Sequence, residues 1–223
     1  MKRRSVYISV GLGILLSTIM CACSRSTNPV DQSPGPSTFF PFTVGSWWIY
    51  EVVDRPTIMS DSISNQLILT VVSKQYLTNG NPVSRVTVSC PDSIVRTYLF
   101  GGDSTFFMSQ SADSLMIYAS LQDTSPRLYL RLPLEVGKSW QTSTGAFSVV
   151  DSVDSTGDVT VPAGRYTTCF QVRTSGGWWQ APITKLCWYK ELTGLLKVDY
   201  SQVGLINIHF NIKLLSYHIT SSR

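Results

Sequence analysis

The segment from Leu205 to Leu214 constrains the fold most strongly, because from Ile206 onward its side chains alternate between apolar and polar. Its apolar positions are Ile206, Ile208, Phe210, Ile212 and Leu214, and its polar positions are Asn207, His209, Asn211 and Lys213. A period of two residues is that of a β-strand with one face in the core and the other in water. A sheet that contains such a strand has to curl, or pack on a second sheet, to cover its apolar face.

Turn signals separate further β-rich segments along the chain. Asn79-Gly80 suits the backbone angles of a tight hairpin. Gly101-Gly102 divides "IVRTYLF" from "DSTFFM", and we interpret both segments as strands. The stretch Asp154 to Asp158 has the composition of another hairpin turn. Consecutive hairpins predict an all-β fold: a single antiparallel meander curled into a barrel or half-barrel, with a β-sandwich as the alternative.

The N-terminus has the features of a bacterial lipoprotein signal. Three basic residues precede an uncharged apolar run, and "MCAC" follows, with the small Ala22 directly before Cys23. We predict a signal peptide over residues 1–22, lipidation of Cys23, a disordered tether over 23–38 and one β domain over 39–220. The expected location is the bacterial cell envelope, lipid-anchored, with Ser24 favouring the outer membrane.

Net charge gives no support to nucleic-acid binding. The full chain carries a formal charge of +4, of which Lys2, Arg3 and Arg4 supply three, so the mature chain is near +1. Its remaining basic residues are scattered along the sequence. We therefore expect the membrane, through the N-terminal lipid, as one partner, together with an envelope protein, a lipid or a glycan, and no nucleic acid.

The cysteines predict one disulfide in an oxidising compartment. Pairing Cys169 with Cys187 across two antiparallel strands places apolar side chains on one face and polar ones on the other, which supports that register. Pairings through Cys90 remain open, and so does the alternative that all three thiols are free.

Residues for catalysis or metal binding do not form a known pattern. The sequence has two histidines, and His209 lies on the polar side of the terminal strand. The acidic residues Asp151, Asp154 and Asp158 lack the alternation of a calcium loop. We predict no catalytic residue, no metal site and no cofactor, although a Ser-His-Asp triad assembled from distant positions stays open.

Tryptophans are the better functional candidates. Trp48, Trp140 and Trp188 are expected in the core. Trp178 and Trp179 lie in the glycine-rich "TSGGWWQAP", where two adjacent indoles cannot easily both point inward. We predict that one or both of this pair face a ligand or partner.

A repeated phrase marks two places in the chain. "PFTVGSWW" at Pro41–Trp48 and "PLEVGKSW" at Pro133–Trp140 match 92 positions apart. We interpret both as strand entrances, with a bend at the glycine and the tryptophan entering the core. Their flanking segments align poorly, so no internal duplication is inferred.

Three islands of sequence carry a family resemblance. They are "VTVPAGRYTTCFQV", "CWYKELTGLLKVDY" and the segment Pro41–Tyr50. Together they resemble uncharacterised secreted bacterial lipoproteins with a Val-Pro-Ala-Gly-x-aromatic motif and a Trp-Tyr-x4-Gly-Leu motif. The resemblance implies a β-rich envelope protein, similar in some members to the half-barrel of periplasmic lipoprotein carriers, and it brings no catalytic residues.

The sequence leaves three hypotheses for the function of this protein. The first is a non-enzymatic, membrane-anchored module that binds a hydrophobic or glycan ligand or a partner protein. The second is an envelope hydrolase with an unrecognised active site. The third is a surface-structural module without a small ligand.

Overall fold

The structure is a computed structural model that describes residues 38–54, 63–144, 147–178, 181–204 and 207–221. The predicted signal peptide, Cys23 and most of the predicted tether lie outside these residues. The described residues belong to one compact unit.

Twelve strands form one antiparallel sheet. They are β1 (Trp47–Asp54), β2 (Ile63–Tyr76), β3 (Pro82–Ser89), β4 (Thr105–Gln110), β5 (Ser114–Tyr118), β6 (Arg127–Arg131), β7 (Ser139–Thr144), β8 (Phe147–Val161), β9 (Gly164–Trp178), β10 (Ala181–Lys190), β11 (Gly194–Gln202) and β12 (Ile208–His218). The described residues also contain one helix, α1 (Ser93–Phe100), between β3 and β4.

The sheet consists of two six-stranded meanders joined by its first and last strands. Strands β1 to β6 pair in chain order, β7 to β12 do the same, and β1 pairs with β12. Strands β6 and β7 are the two free edges, so the sheet is a nearly closed barrel with one unsealed seam. This confirms the predicted meander and barrel, and the sandwich alternative does not apply.

The barrel interior is a continuous apolar core. Phe210, Ile212 and Leu214 of β12 are fully buried, as their alternation predicted. Since antiparallel strands reverse direction at each turn, the connections alternate between two ends of the barrel. We call the end that carries α1 the helix end, and the opposite end, where both repeated phrases lie, the phrase end. Phe39 and Phe40 enter the core at the phrase end.

Helix α1 corrects the interpretation of "IVRTYLF" as a strand. Asp92 is its N-cap, and its Oδ1 accepts hydrogen bonds from the backbone amides of Ile94 at 2.7 Å and Val95 at 3.3 Å. Gly101 is its C-cap, in the left-handed conformation. Val95 and Leu99, four residues apart, are buried on one side. The caps and this spacing favour a helix over the β propensity of single residues.

Strand β8 corrects the predicted turn at Asp154–Asp158, because it runs without interruption through that stretch. Its pairing with β9 shifts register between Val153 and Ser155 and again between Gly157 and Val159. These irregularities of a β-bulge type accommodate the polar, glycine-containing sequence without ending the strand.

Both copies of the repeated phrase form the same local structure. In the first, Ser46 N donates to Thr43 O at 3.0 Å, Gly45 N donates to Val71 O at 2.9 Å, and Val71 N donates to Ser46 O at 2.9 Å. The second copy repeats this pattern with Lys138, Glu135, Gly137 and Val153, at 3.0, 2.8 and 2.9 Å. Gly45 and Gly137 have φ of 89° and 88°, a region that favours glycine.

Each phrase therefore leads into the first strand of one meander, and its bend is hydrogen-bonded to the second strand of the same meander, β2 or β8. Trp48 and Trp140 are both buried, which confirms the interpretation of strand entrances with a core tryptophan.

Within the described part of the chain, no helix is long and apolar enough to cross a membrane.

Candidate ligand-binding site

A cavity of about 350 Å³ lies beside the open seam. It is lined by both seam strands, through Leu128 and Tyr129 of β6 and Thr142 of β7. Helix α1 contributes a third side, and strands β8 to β11 contribute the rest. Because the lining positions lie at the start of β6, β8 and β10 and at the end of β9 and β11, the cavity is nearer the helix end.

Apolar and aromatic groups form much of the wall. Leu99, Leu128, Val149 and Ile183 contribute aliphatic surface, and Tyr98 and Tyr200 contribute aromatic surface. The rings of Tyr98 and Tyr200 have centroids 4.7 Å apart, and Tyr200 stacks on Phe210 at a further 4.7 Å. Such packed rings hold one wall in place, which preserves the shape of a cavity.

Asp151 is the one carboxylate among the lining residues. Its side chain is buried, and it accepts a hydrogen bond from Thr142 Oγ1 at 2.9 Å and a second, short one from Thr174 Oγ1. The two hydroxyls come from the strands on either side of β8, so this triplet links β7, β8 and β9. Both donors are neutral, and among the described residues Asp151 forms no ion pair with a cationic side chain.

Two cationic side chains, Arg127 and Lys185, line the same cavity. Among the residues that the structure describes, neither forms an ion pair with a carboxylate. Arg127 Nη2 donates to Leu99 O at 3.4 Å, a long contact with a neutral acceptor. Burial lowers the pKa of Arg127, although an arginine remains charged at any physiological pH. With Asp151, the formal charge of the lining is therefore positive.

Deeper in the core, the side chains of Tyr129, Tyr189 and Cys187 lie close to the charged residues. The rings of Tyr129 and Tyr189 meet edge to face, with centroids 6.4 Å apart. Burial raises the pKa of both phenols and of the thiol above their ordinary values. All three groups are consequently protonated at neutral pH, and Cys187 has little of the thiolate character that a nucleophile needs.

The cysteine pairing predicted above is wrong in register. Cys187 lies opposite Val172, and Cys169 lies opposite Gly157 on the other neighbouring strand. Cys169 is thus three residues along β9 from the position facing Cys187, a displacement of about 10 Å and beyond the reach of a disulfide. Cys90, Cys169 and Cys187 are all buried free thiols in the structure. The β9–β10 ladder runs without a register shift from Ala181 opposite Trp178, so the position of this hairpin connection places Cys187 opposite Val172.

Tryptophan predictions have mixed outcomes. Trp188 lies outside the core, half-buried on the outer face, with Lys197 Nζ 4.3 Å from its ring centroid, which corrects its expected core position. The predicted ligand-facing pair cannot be placed: Trp179 lies outside the described residues, and Trp178 ends β9 with no described side chain.

The remaining polar candidates stay apart from the cavity. His209 is half-buried on the polar face of β12, with its Nε2 atom 3.5 Å from Asn211 Nδ2. Asp154 pairs with Arg173, and Asp158 pairs with Arg165 at 2.7 Å, while Asp151 points inward. Throughout the described ranges, no three metal-ligating side chains of His, Cys, Asp or Glu come together.

Two residues of the cavity are marked in the sequence by a charge at an otherwise apolar position of a strand, a signal that the sequence analysis missed. Asp151 occupies the same phase of β8 as Val149 and Val153, both lining or core positions. Lys185 likewise alternates with Ile183 and Cys187 on the inner face of β10. A charge at an apolar phase of a strand indicates a polar group directed inward, so these two residues were detectable. Arg127 and Thr142 have no comparable signal.

Comparison of the sequence with family models gave no match, and comparison with curated proteins gave none either. A comparison of structures found a protein with a YmcC-like fold, described as exported, from Bacteroides fragilis, at 13% identity and a TM-score of 0.49, with 82% of this chain and 99% of that chain covered. It also found a protein described as a lipoprotein from Parabacteroides distasonis, at 12% identity and a TM-score of 0.47, with 82% and 100% covered. Likenesses of this degree bear neither on family nor on function.

Proposed function

We propose that this chain is a non-enzymatic envelope lipoprotein whose barrel binds a small, mainly apolar ligand in the seam cavity. The observation that carries the proposal is the cavity itself: about 350 Å³ of space lined by β6, β7 and α1, next to the apolar core. Ligand sites in proteins are concave, largely apolar and of about 300–1,000 Å³, with a few polar groups that orient the ligand.

The unsealed seam supplies a means of entry for such a ligand. Elsewhere in the barrel, adjacent strands are joined by backbone hydrogen bonds, whereas β6 and β7 are not. A molecule can pass between two unpaired edges without breaking a ladder, and the same edges border the cavity. The position of the cavity at this seam therefore favours its interpretation as a ligand site over its interpretation as a packing defect.

Chemistry at the cavity does not favour the hydrolase alternative. Both oxygens of Asp151 are engaged by threonine hydroxyls, which hold the carboxylate in a structural role. Burial raises the pKa of the Cys187 thiol, which opposes its use as a nucleophile. His209 and the cavity are on opposite faces of the sheet wall, since His209 lies on the polar face of β12. A nucleophile with an adjacent base is thus not assembled by the lining residues.

Membrane anchoring is part of the proposal and rests on the sequence. The basic start, the apolar run and the Ala22-Cys23 junction together indicate lipidation of Cys23. Mass spectrometry of the mature N-terminal peptide is expected to show an acylated Cys23. A Cys23→Ser variant is expected to lose its acyl chains and its membrane retention, and an unmodified wild-type peptide would contradict this part of the proposal. Fractionation of the envelope tests the outer-membrane location.

A dye-binding experiment tests the ligand site. Nile red, a neutral apolar dye, is expected to bind the purified domain with a rise in fluorescence, and Val149→Trp is expected to abolish that rise by filling the cavity. Val150→Trp is the matched control, because Val150 is the next residue on β8 and is 45% exposed on the outer face. Equal binding by both variants would show that the dye occupies another surface and would contradict the proposal. Circular dichroism of each variant confirms that the barrel is folded.

A further inference from the structure

From the charges in the cavity we infer that its ligand is a single-chain amphiphile with an anionic head group, a carboxylate or a phosphate. This inference rests on the proposed function and adds the class of ligand. Arg127 and Lys185 both line the cavity without a carboxylate partner among the described residues, and aliphatic and aromatic side chains form the remaining wall.

The positions of the two cations make them unusual for this protein. The described ion pairs, Arg165–Asp158, Arg173–Asp154 and Lys197–Asp199, lie on the outer surface with both partners in water contact. Arg127 and Lys185 are half-buried and instead line the cavity. Partial removal of water from a cation is unfavourable unless an acceptor replaces it, and an anionic head group is the acceptor that compensates best.

Asp151 does not balance both cations. Its two oxygens accept hydrogen bonds from Thr142 and Thr174, and among the described residues it forms no ion pair with Arg127 or Lys185. The formal charge of the lining is two positive against one negative, which leaves an attraction for one anion. A neutral apolar ligand would leave both cations without a charged partner, and a cationic ligand would be repelled.

The apolar part of the ligand follows from the wall. Leu128, Val149 and Ile183 present aliphatic carbon to the same space into which the two cations project. A cavity of about 350 Å³ is at the small end of the range for ligand sites, so one hydrocarbon chain suits it better than the two chains of a phospholipid. The head group is thus recognised by Arg127 and Lys185, and the chain by the aliphatic lining.

Ligands that share one chain and differ in the head group test this inference. Isothermal titration uses dodecanol below its solubility limit, and dodecanoate and dodecyl phosphate below their micellar concentrations. The anions are expected to bind at least about tenfold more tightly than the alcohol, the factor of one charge-assisted hydrogen bond. Tighter binding of dodecanoate would indicate a carboxylate head group, and tighter binding of dodecyl phosphate would indicate a phosphate. Either result supports recognition of an anionic head group.

Charge-removing variants locate the effect. Arg127→Met and Lys185→Met keep the aliphatic stem and are each expected to reduce the anion preference by about fivefold or more. Arg131→Met, on the same strand as Arg127 but exposed, and Lys213→Met, exposed on β12, are the matched controls and are expected to retain it. A preference that survives both cavity variants, or that disappears in the controls, would overturn the assignment.

The outcomes separate this inference from the function on which it rests. If dodecanol and the anions bind equally, and Val149→Trp abolishes binding of all three, the cavity is a ligand site without charge selection, and only the anionic head group is refuted. If none of the three binds, the proposed function fails as well. Thermal unfolding of each variant without ligand verifies that a lost preference does not reflect a lost fold.

Discussion

The two junctions between the half-barrels begin with the same phrase and differ in almost everything beyond it. At the sealed junction, β1 follows Pro41–Trp48 and pairs with β12 along its whole length. At the open junction, β7 follows Pro133–Trp140 and has no ladder with β6. The turn, the glycine angle and the docking onto the second strand are alike in both copies. The local motif therefore does not decide whether a junction closes.

Contacts from distant residues account for the difference. Ser46 is fully buried, and its Oγ accepts a hydrogen bond from Thr220 N at 3.1 Å, which ties the C-terminal segment to the sealed junction. The equivalent Lys138 donates to Leu132 O and Pro133 O, both at 2.8 Å, within its own connection. The strands differ as well: β12 has eleven residues and β6 has five, so β6 offers fewer positions for pairing.

Exchanging the residue before each strand should produce the largest effect. Ser46→Lys is expected to destabilise the domain by about 3–5 kcal/mol, because it buries an ammonium group with no partner charge. Lys138→Ser is expected to cost about 1 kcal/mol or less, as it removes two hydrogen bonds from a half-buried amine. Urea unfolding measures both. Comparable losses at the two sites would mean that the junctions are equally tolerant and would contradict the comparison.

The two tryptophans allow a sharper test of the same contrast. Trp48 Nε1 donates to Thr193 O at 2.7 Å, whereas Trp140 Nε1 is buried without a hydrogen-bond partner in the described chain. Trp→Phe at either site removes similar volume. We expect Trp48→Phe to cost about 1–3 kcal/mol more than Trp140→Phe, because only the first leaves a buried carbonyl unsatisfied.

The difference between these two free energies of unfolding is the readout, so the loss of volume cancels. A Trp140→Phe variant that is as destabilised as Trp48→Phe would indicate that the Trp140 indole has a partner in solution.

The phrase glycines should show a smaller difference. Alanine at either position must adopt a positive φ, at a cost of about 1–2 kcal/mol. A Cβ on Gly45 would also lie 3.1 Å from Thr220 Oγ1, while a Cβ on Gly137 would meet no atom within 4 Å. We therefore expect Gly45→Ala to be the more destabilising. The double variant Gly45→Ala with Thr220→Ala should recover the excess, and a persistent excess would exclude the contact as its cause.

Amide hydrogen exchange tests the junctions with the least perturbation, since no residue is changed. Amides of β7 that face the open seam should exchange faster than those of β1, which are protected on both sides by β2 and β12. Addition of a cavity ligand should slow exchange in β6 and β7 and leave β1 unchanged. Equal protection of β1 and β7 in the ligand-free protein would mean that the seam is closed in solution.

Much of the fold was predictable because it depends on short-range patterns. The alternation in β12 identified Phe210, Ile212 and Leu214 as core residues, and the Asn79-Gly80 turn identified the β2–β3 hairpin. The phrase identified both strand entrances. Helix α1 was missed because the β propensity of its residues was weighed above the Asp92 and Gly101 caps. The strand through Asp154–Asp158 was missed because turn residues also occur in bulges.

The candidate site could be predicted only in fragments. Asp151 and Lys185 interrupt apolar phases of their strands and were recognisable as inward polar residues, but their common cavity was not. The expected disulfide failed for a related reason: alternation defines which residues share a face, but the position of the connection between β9 and β10 determines which residues stand opposite each other, and Cys187 faces Val172.

By itself, the sequence determined that this chain forms antiparallel strands in a curled sheet, because strand period and turn chemistry act over a few residues. The tertiary structure alone decided that β1 pairs with β12 while β6 and β7 stay apart, and that Arg127, Asp151 and Lys185 surround one cavity. Those outcomes depend on contacts between residues up to 174 positions apart, such as Ser46 with Thr220. The same eight-residue phrase begins a closed junction and an open one because closure depends on strand length and on distant partners.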